Sequence, residues 1–329
     1  MHTRRSALKA LAVPLAAAAL PLRARAQGND YPTHAVTIVV PFAAGQSADI
    51  LARLIGDNLT RMWGKPVLVD NRGGAGGAVG ALSVVRSPND GYTLLLGSSG
   101  PISVAPQMSK TAGYDPRKDM TPIINLAGLP QMMIVAAKSP YHAVKDVVDA
   151  AKRQPGKLSY GTGGIGSFAH LTMEIFKQRT GIDIVHVPYK GAAPAYTDLL
   201  AGRLDVMFDT PPAAMGFVKN GQMRFLAAST SKRFPLLPDV PTVAESGVPG
   251  FDVLGWLGLL APAGLAPAIV RKLNQDVGRV LEEPEVKKRL AALAMAPLGG
   301  TPEDFRKFIE TDYQKFGAVI QANHLSSDA

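Results

Sequence analysis

The chain has 329 residues, 47% of them hydrophobic and 19% charged, no cysteine, and a formal net charge of +9. A chain of this length can bury a core without covalent staples, and the missing cysteines exclude disulfides, a thiol nucleophile, thiolate metal ligands and a lipidated N-terminal cysteine. The charge is concentrated at the start: residues 1–26 hold Arg4, Arg5, Lys9, Arg23 and Arg25 and no acid, which leaves +4 over the other 303 residues.

That first segment reads as an export signal. Basic residues precede an apolar run from Ala10 to Leu22, too short to span a bilayer, and Ala24-Arg25-Ala26 offers a small-residue cleavage site before Gln27. Pro14 and Pro21 argue further against a lasting membrane helix. The expected product is periplasmic, with the signal removed and no lipid anchor. Thr3-Arg4-Arg5-Ser6-Ala7-Leu8-Lys9 fits a twin-arginine signal, and an ordinary secretory signal carrying two arginines fits as well.

Beyond the signal, short β-rich runs alternate with helical spacing. Strands are predicted at Val36–Pro41, Val67–Asp70 and Thr93–Leu96, with helices over 49–59 and up to Arg86 between them. The pattern resumes with strands at Met132–Ala136, Leu158–Tyr160, Asp183–Val187, Val206–Phe208 and Arg224–Ala228. Helices are expected over Val144–Arg153, Ser167–Arg179 and Pro194–Ala201. This alternation predicts βαβ units in mostly parallel sheets. Residues 231–250, rich in proline and turn formers, read as a long surface connection to an apolar run at Leu254–Ala261. Two or three helices close the chain, the last opening at Thr301-Pro302, where threonine caps and proline suits the first turn.

Three turns follow a strand and open a helix: Phe42-Ala43-Ala44-Gly45-Gln46-Ser47-Ala48-Asp49, Gly97-Ser98-Ser99-Gly100-Pro101, and Gly161-Thr162-Gly163-Gly164-Ile165-Gly166-Ser167. In a parallel sheet such turns sit at the carboxyl ends of strands, where ligands bind. A helix N-terminus favours an anion by about 0.3–1 kcal/mol, or up to about 2 when partly buried. Gly161, Gly163 and Gly166 also satisfy the dinucleotide fingerprint, but Asp183 starts the next strand instead of ending it, so no dinucleotide or other cofactor is expected.

Other chemistry finds little footing. No G-x-S-x-G elbow is present, so an exported serine hydrolase using Ser47 or Ser167 is a rival without a placed base. His170 is either a neutral hydrogen-bonding residue in the cleft or a helix-surface residue. His186 reads as structural, and His34, His142 and His324 as isolated and solvated. Histidine and carboxylate spacing suggests no metal. Asp209, at a strand end, either receives a ligand amine or hydroxyl or caps the helix after Pro211-Pro212; Asp49 caps or charges the first helix, and Trp256 reads as core.

Taken in order, Tyr31-Pro32, the 39–45 segment with Asp49 and Arg53, Asp70-Asn71-Arg72 with its glycines to Gly77, Asp90-Gly91-Tyr92, the 160–167 turn with His170, His186 to Gly191, Asp198 to Gly202, Pro238 to Thr242, Trp256, Ala261 to Gly264 and Thr301-Pro302-Glu303 carry a resemblance. The chain resembles Bug-type, TctC-like extracytoplasmic solute-binding proteins of tripartite tricarboxylate transporter systems. The resemblance implies an α/β periplasmic-binding-protein fold, type II-like, with two lobes about a ligand cleft: 27–130 plus 255–329, and 131–254. It implies a non-catalytic receptor for a small carboxylate (a mono-, di- or tricarboxylate or an acidic amino acid), monomeric, delivering to membrane transporter subunits or a sensor. The implied grip is a pincer of Phe42, Ala43, Ala44, Gln46, Ser47 and Asp49 against Thr162, Gly163, Gly166 and Ser167. Ser98, Ser99, His170 and Asp209 are side-chain additions. Gln46 departs from the second glycine usual in that family, which bears on loop shape and on the ligand.

Overall fold

The computed structural model describes residues 31–109, 112–189 and 191–326; the signal segment lies outside the described residues. The chain opens with β1 (Val36–Val40), α1 (Ser47–Trp63), β2 (Val67–Asn71), α2 (Ala78–Val85) and β3 (Thr93–Ser98). A π-helical turn over Gly100–Val104 leads into two short helices, α3 (Ala105–Met108) and α4 (Pro116–Asp119), and then the long strand β4 (Met120–Pro130). The second lobe runs β5 (Met132–Ala136), α5 (Val144–Arg153), β6 (Ser159–Thr162), α6 (Phe168–Thr180), β7 (Val185–Pro188), α7 (Ala192–Ala201), β8 (Val206–Asp209), α8 (Pro211–Lys219) and β9 (Met223–Ala228). The chain returns through β10 (Leu254–Pro262), α9 (Pro267–Glu282), α10 (Pro284–Ala292), β11 (Ala296–Gly299) and α11 (Pro302–Ala322).

Two sheets result, with strand orders β11-β4-β10-β3-β1-β2 and β7-β6-β8-β5-β9. Both are mixed and not mostly parallel. β1 pairs parallel with β2 and β3, and β6 with β7 and β8, while β10, β11, β5 and β9 make antiparallel pairs. The reason is connectivity. β4 carries the chain out of the first sheet and β10 brings it back, so the two run in opposite senses side by side.

The first sheet is covered on both faces. Ile38, Val40, Leu94 and Leu96 pack on Leu51, Ile55 and Leu59 of α1, and Val39 and Leu95 face Ala81 and Val84 of α2 with Trp256 and Phe305. The second sheet is flanked in the same way, with Tyr160, Phe176 and Phe208 on one face and Ile134, Met207 and Leu199 on the other. Helix α11 belongs to both cores: Phe305 and Ile309 pack in the first lobe, and Phe316, Val319 and Ile320 in the second. Thr301 caps it as expected, its hydroxyl accepting from Asp304 N–H at 3.1 Å. The 229–253 connection is not merely a surface segment, since Val243, Val248, Phe251 and Val253 enter the second core.

The lobes meet where β4 passes into β5 and where the 229–253 segment enters β10. Ser229, fully buried, ties these passages together. Its hydroxyl accepts from Gln131 N–H at 2.9 Å and donates to Val253 O; its N–H donates to Gln131 O at 2.8 Å and its O accepts from Val253 N–H at 2.8 Å. Among the described residues no helix is long and apolar enough to cross a membrane.

Truncating the Ser229 hydroxyl strands a buried N–H and a buried carbonyl. Ser229→Ala is expected to cost about 2–4 kcal/mol in urea unfolding, since each stranded buried group costs roughly 1–3. A loss below about 0.5 kcal/mol contradicts the tie.

Candidate functional site

A cavity of about 530 Å³ opens between the lobes, within the range of small-molecule sites. The first lobe supplies Phe42, the Gly45–Ala48 stretch, Ser98, Ser99 and Trp256; the second supplies Phe168, Ala192, Asp209, Thr210, Pro212 and Ala213; Gln131 comes from the crossing itself. A second, mostly apolar cavity of about 550 Å³ adjoins it through Gly100, walled by α2, α3, Ile165 and Gly166.

The first loop is shaped by its own residues. Gly45 takes φ +83°, which favours glycine, and its N–H donates to Asp49 Oδ2 at 2.9 Å. Arg53 donates to the same carboxylate at 3.1 Å, and Asn71 Nδ2 donates to Phe42 O at 3.1 Å. Burial alone would raise the Asp49 carboxyl, but Arg53 and the Gly45 N–H outweigh it and hold it below the usual range. Asp49 is therefore a staple in the first turn of α1, as expected, with its carboxylate spent on the loop. Gln46 is the N-cap at φ −77°, ψ 164°, extended backbone that needs no glycine. The first intrahelical bond is Ile50 N–H to Gln46 O at 3.0 Å, which leaves the N–H groups of Ser47, Ala48 and Asp49 outside the helix ladder. Ser47 and Ala48 line the cavity.

On the opposite wall Asp209 ends β8. Tyr196 O–H donates to its Oδ2 at 2.7 Å and Thr210 N–H to its Oδ1 at 2.7 Å. It does not cap α8, whose N-cap is Thr210. Burial raises its carboxyl above the ordinary value against these two bonds and a further one from the Thr210 side chain.

The 161–167 turn is built differently from the expectation. Thr162 Oγ1 bonds His186 Nε2 at 2.7 Å and Gly164, Ser167 caps α6 by accepting from His170 N–H at 3.3 Å, and Gly166 N–H donates to His170 Nδ1 at 3.1 Å. His170 is only 3% exposed, so it is not a helix-surface residue, and it does not line the interlobe cavity. It stacks on His186 at 4.0 Å, and His186 stacks on Tyr160 at 4.8 Å. Tyr160 O–H and Lys177 both donate to Glu174 beside this stack. Burial lowers His170; burial, then the neighbouring His170, pushes His186 down to about 4. His34 is not isolated either, for it stacks on Tyr92 at 3.6 Å, and His142 bonds Arg224.

Of the residues read from sequence, Phe42, Gln46, Ser47, Ser98, Ser99 and Asp209 line the interlobe cavity, and Gly166 lines its apolar neighbour. Ala43, Ala44, Asp49, Thr162, Gly163, Ser167 and His170 line neither. Gln131, Phe168 and Trp256 also line the interlobe cavity, outside the set that the resemblance implies. Trp256 is indeed core, donating to buried Asp312 at 2.8 Å, yet it also walls the cavity. The one visible signal for Gln131 was a lone polar residue between two apolar runs. A hydrolytic arrangement finds no support at Ser167, because the nearby His170 nitrogen is occupied by Gly166.

The stacked histidines are harder to protonate in the folded protein than in the unfolded chain. The unfolded chain therefore binds more protons on acidification. The contribution of the neutral pair to stability is expected to be fully present above about pH 6.5 and to be lost as the pH drops towards 4. His186→Gln should flatten that fall in melting temperature; equal slopes for variant and parent contradict it.

Comparison with known proteins gives the site its setting. The model for the tripartite tricarboxylate transporter family receptor, TctC, matches residues 51–325. Protein BugT of Bordetella pertussis (strain Tohama I) is 33% identical over 320 residues, 97% of each chain. The structure of R. palustris Rpa4515 with adipate matches with a TM-score of 0.81 at 37% identity, covering 90% of this chain and 99% of that one. MatC (Rpa3494) from Rhodopseudomonas palustris with bound malate gives 0.76 at 31%, covering 88% and 100%. The chain thus belongs to the tripartite tricarboxylate transporter receptor family, and it is a receptor of the Bug/TctC type and not an enzyme.

Proposed function

We propose that this protein is a periplasmic receptor that captures a small carboxylate between its lobes and passes it, as a monomer, to the membrane subunits of a tripartite tricarboxylate transporter or to a sensor. The observation that carries the reading is the start of α1, a helix of 17 residues whose first turn opens onto the interlobe cavity. Unpaired N–H groups and the helix dipole there favour a carboxylate by up to about 2 kcal/mol when partly buried. A micromolar ligand needs about 8 kcal/mol, so further donors must contribute. Ser47, Ser98 and Ser99 are placed to do so, and a hydrogen bond to a charged group is worth about 1.5–3 kcal/mol.

In this reading residues 27–130 plus 255–329 form one lobe and 131–254 the other. They close about the Gln131–Ser229–Val253 tie, with the 42–49 and 161–167 turns approaching from either side. The stacked histidines then act as the frame of the second turn, leaving its backbone to the ligand. The adipate and malate held by the two R. palustris relatives support a carboxylate as the class. The export signal at 1–26 supports the compartment.

Gln46→Asp separates site from fold. Aspartate is a favoured N-cap, so the melting temperature should hold or rise, while a carboxylate at the mouth of an anion site should weaken binding by about tenfold or more. Calorimetric affinity for the tightest-binding carboxylate of the parent protein, unchanged in the variant, contradicts the placement.

A further inference from the structure

The two ends of the cavity differ in hydrogen-bonding sense. The α1 end presents donors: the N–H groups of the first turn and the hydroxyls of Ser47, Ser98 and Ser99. At the opposite end α8 also begins on the cavity, but its first two residues are Pro211 and Pro212, which have no N–H, and Ala213 N–H is spent on Thr210 O at 3.1 Å. Two acceptors stand there, the Asp209 carboxylate and the Gln131 amide oxygen, beside the Gln131 amide nitrogen and the start of α7 at Ala192. Asp209 is held by Tyr196 O–H and by both the N–H and the side chain of Thr210, and its two carboxylate oxygens can accept more. Gln131, 2% exposed, has a buried Oε1 with no hydrogen-bond partner, and β5 places it next to Met132, the register partner of Asp209. Ser99, also 2% exposed, has a buried hydroxyl on the cavity wall with no hydrogen-bond partner. Among the described residues no lysine, arginine or histidine lines the cavity to neutralise Asp209.

Buried polar atoms in native proteins are almost always satisfied, and a buried carboxylate without a cation is costly. We infer that the Asp209–Gln131 end is a donor-recognising subsite, so that the ligand is a small carboxylate bearing a second group that donates hydrogen bonds, a protonated amine or a hydroxyl. This rests on the carboxylate-receptor reading above. The carboxylate sits at the α1 end, and the donor group points at Asp209 Oδ and Gln131 Oε1. A ligand with a plain acid or alkyl group in that place leaves both acceptors unpaired, and a second carboxylate meets Asp209 as a like charge.

The test is a calorimetric titration of the mature protein with matched series that change only this group. Suitable series are propionate, lactate and alanine; succinate, malate and aspartate; glutarate, 2-hydroxyglutarate and glutamate; adipate and 2-aminoadipate. In the series that binds, the amino or hydroxy member should bind about tenfold or more tighter than the plain acid. Asp209→Asn should bring the members to within about threefold of one another, by weakening the donor-bearing members and by relieving the like charge that a plain diacid meets, and Gln131→Leu should shrink the preference in the same direction. A plain acid that binds as tightly as its donor-bearing partners overturns the subsite and leaves the receptor reading standing. Equal weakening of all members by Asp209→Asn, with the melting temperature retained, overturns the role of Asp209. Binding by no member of any series overturns the receptor reading itself, and this inference with it.

Discussion

The fold turns on one serine. Ser229 uses its hydroxyl, its N–H and its carbonyl to hold the β4–β5 passage and the segment entering β10 in one hydrogen-bonded knot. Everything that faces the cavity is placed relative to that knot. Gln131 lies within it, Asp209 is one register step away through Met132, and β10 delivers Trp256 to the cavity wall. Both sheets are mixed for the same reason, because strands that leave a lobe and return to it must run against each other.

The cavity itself is an arrangement of strand ends. β1 and β3 end at the α1 loop and at Ser98-Ser99, and β8 ends at Asp209, so three separate turns meet with little side-chain charge between them. Where a helix start keeps its N–H groups, as at Ser47 and Ala48, the wall is donor. Two prolines erase that property at α8, where the Asp209 carboxylate stands instead. The asymmetry is written in residue types and not in net charge, and it needs no cationic side chain.

Much of this was legible beforehand, and the parts that were not have physical causes. Periodicity located β1–β3 and the βα units of the second lobe, and the glycines located the turns. Turn position predicted which loops reach the cavity, but not which way their side chains face. Thr162 and Ser167 belong to the expected pincer as members of the turn and His170 as a side-chain addition; the side chains of all three bond the loop and its helix. Strand β4 is absent from the pattern read in the sequence; it carries Pro122 and Pro130, and Pro122 sits beside a register shift against Leu260, where a missing N–H is tolerated. The 231–250 stretch reads as a surface connection because it is rich in proline and turn formers, yet Val243 and Val248 are buried. Gln131 carries no motif at all; only the crossing of the lobes gives it a role.

The central claim is capture by closure between the lobes, and the chain is well suited to a direct measurement because it has no cysteine of its own. Exposed Asp57 on α1 and Lys152 on α5 can be replaced by cysteine, spin-labelled, and their separation measured by pulsed electron resonance. The account predicts a shift to a single, shorter distance when a carboxylate shown to bind by calorimetry is added at saturation. An unchanged distance distribution with that ligand fully bound would contradict it.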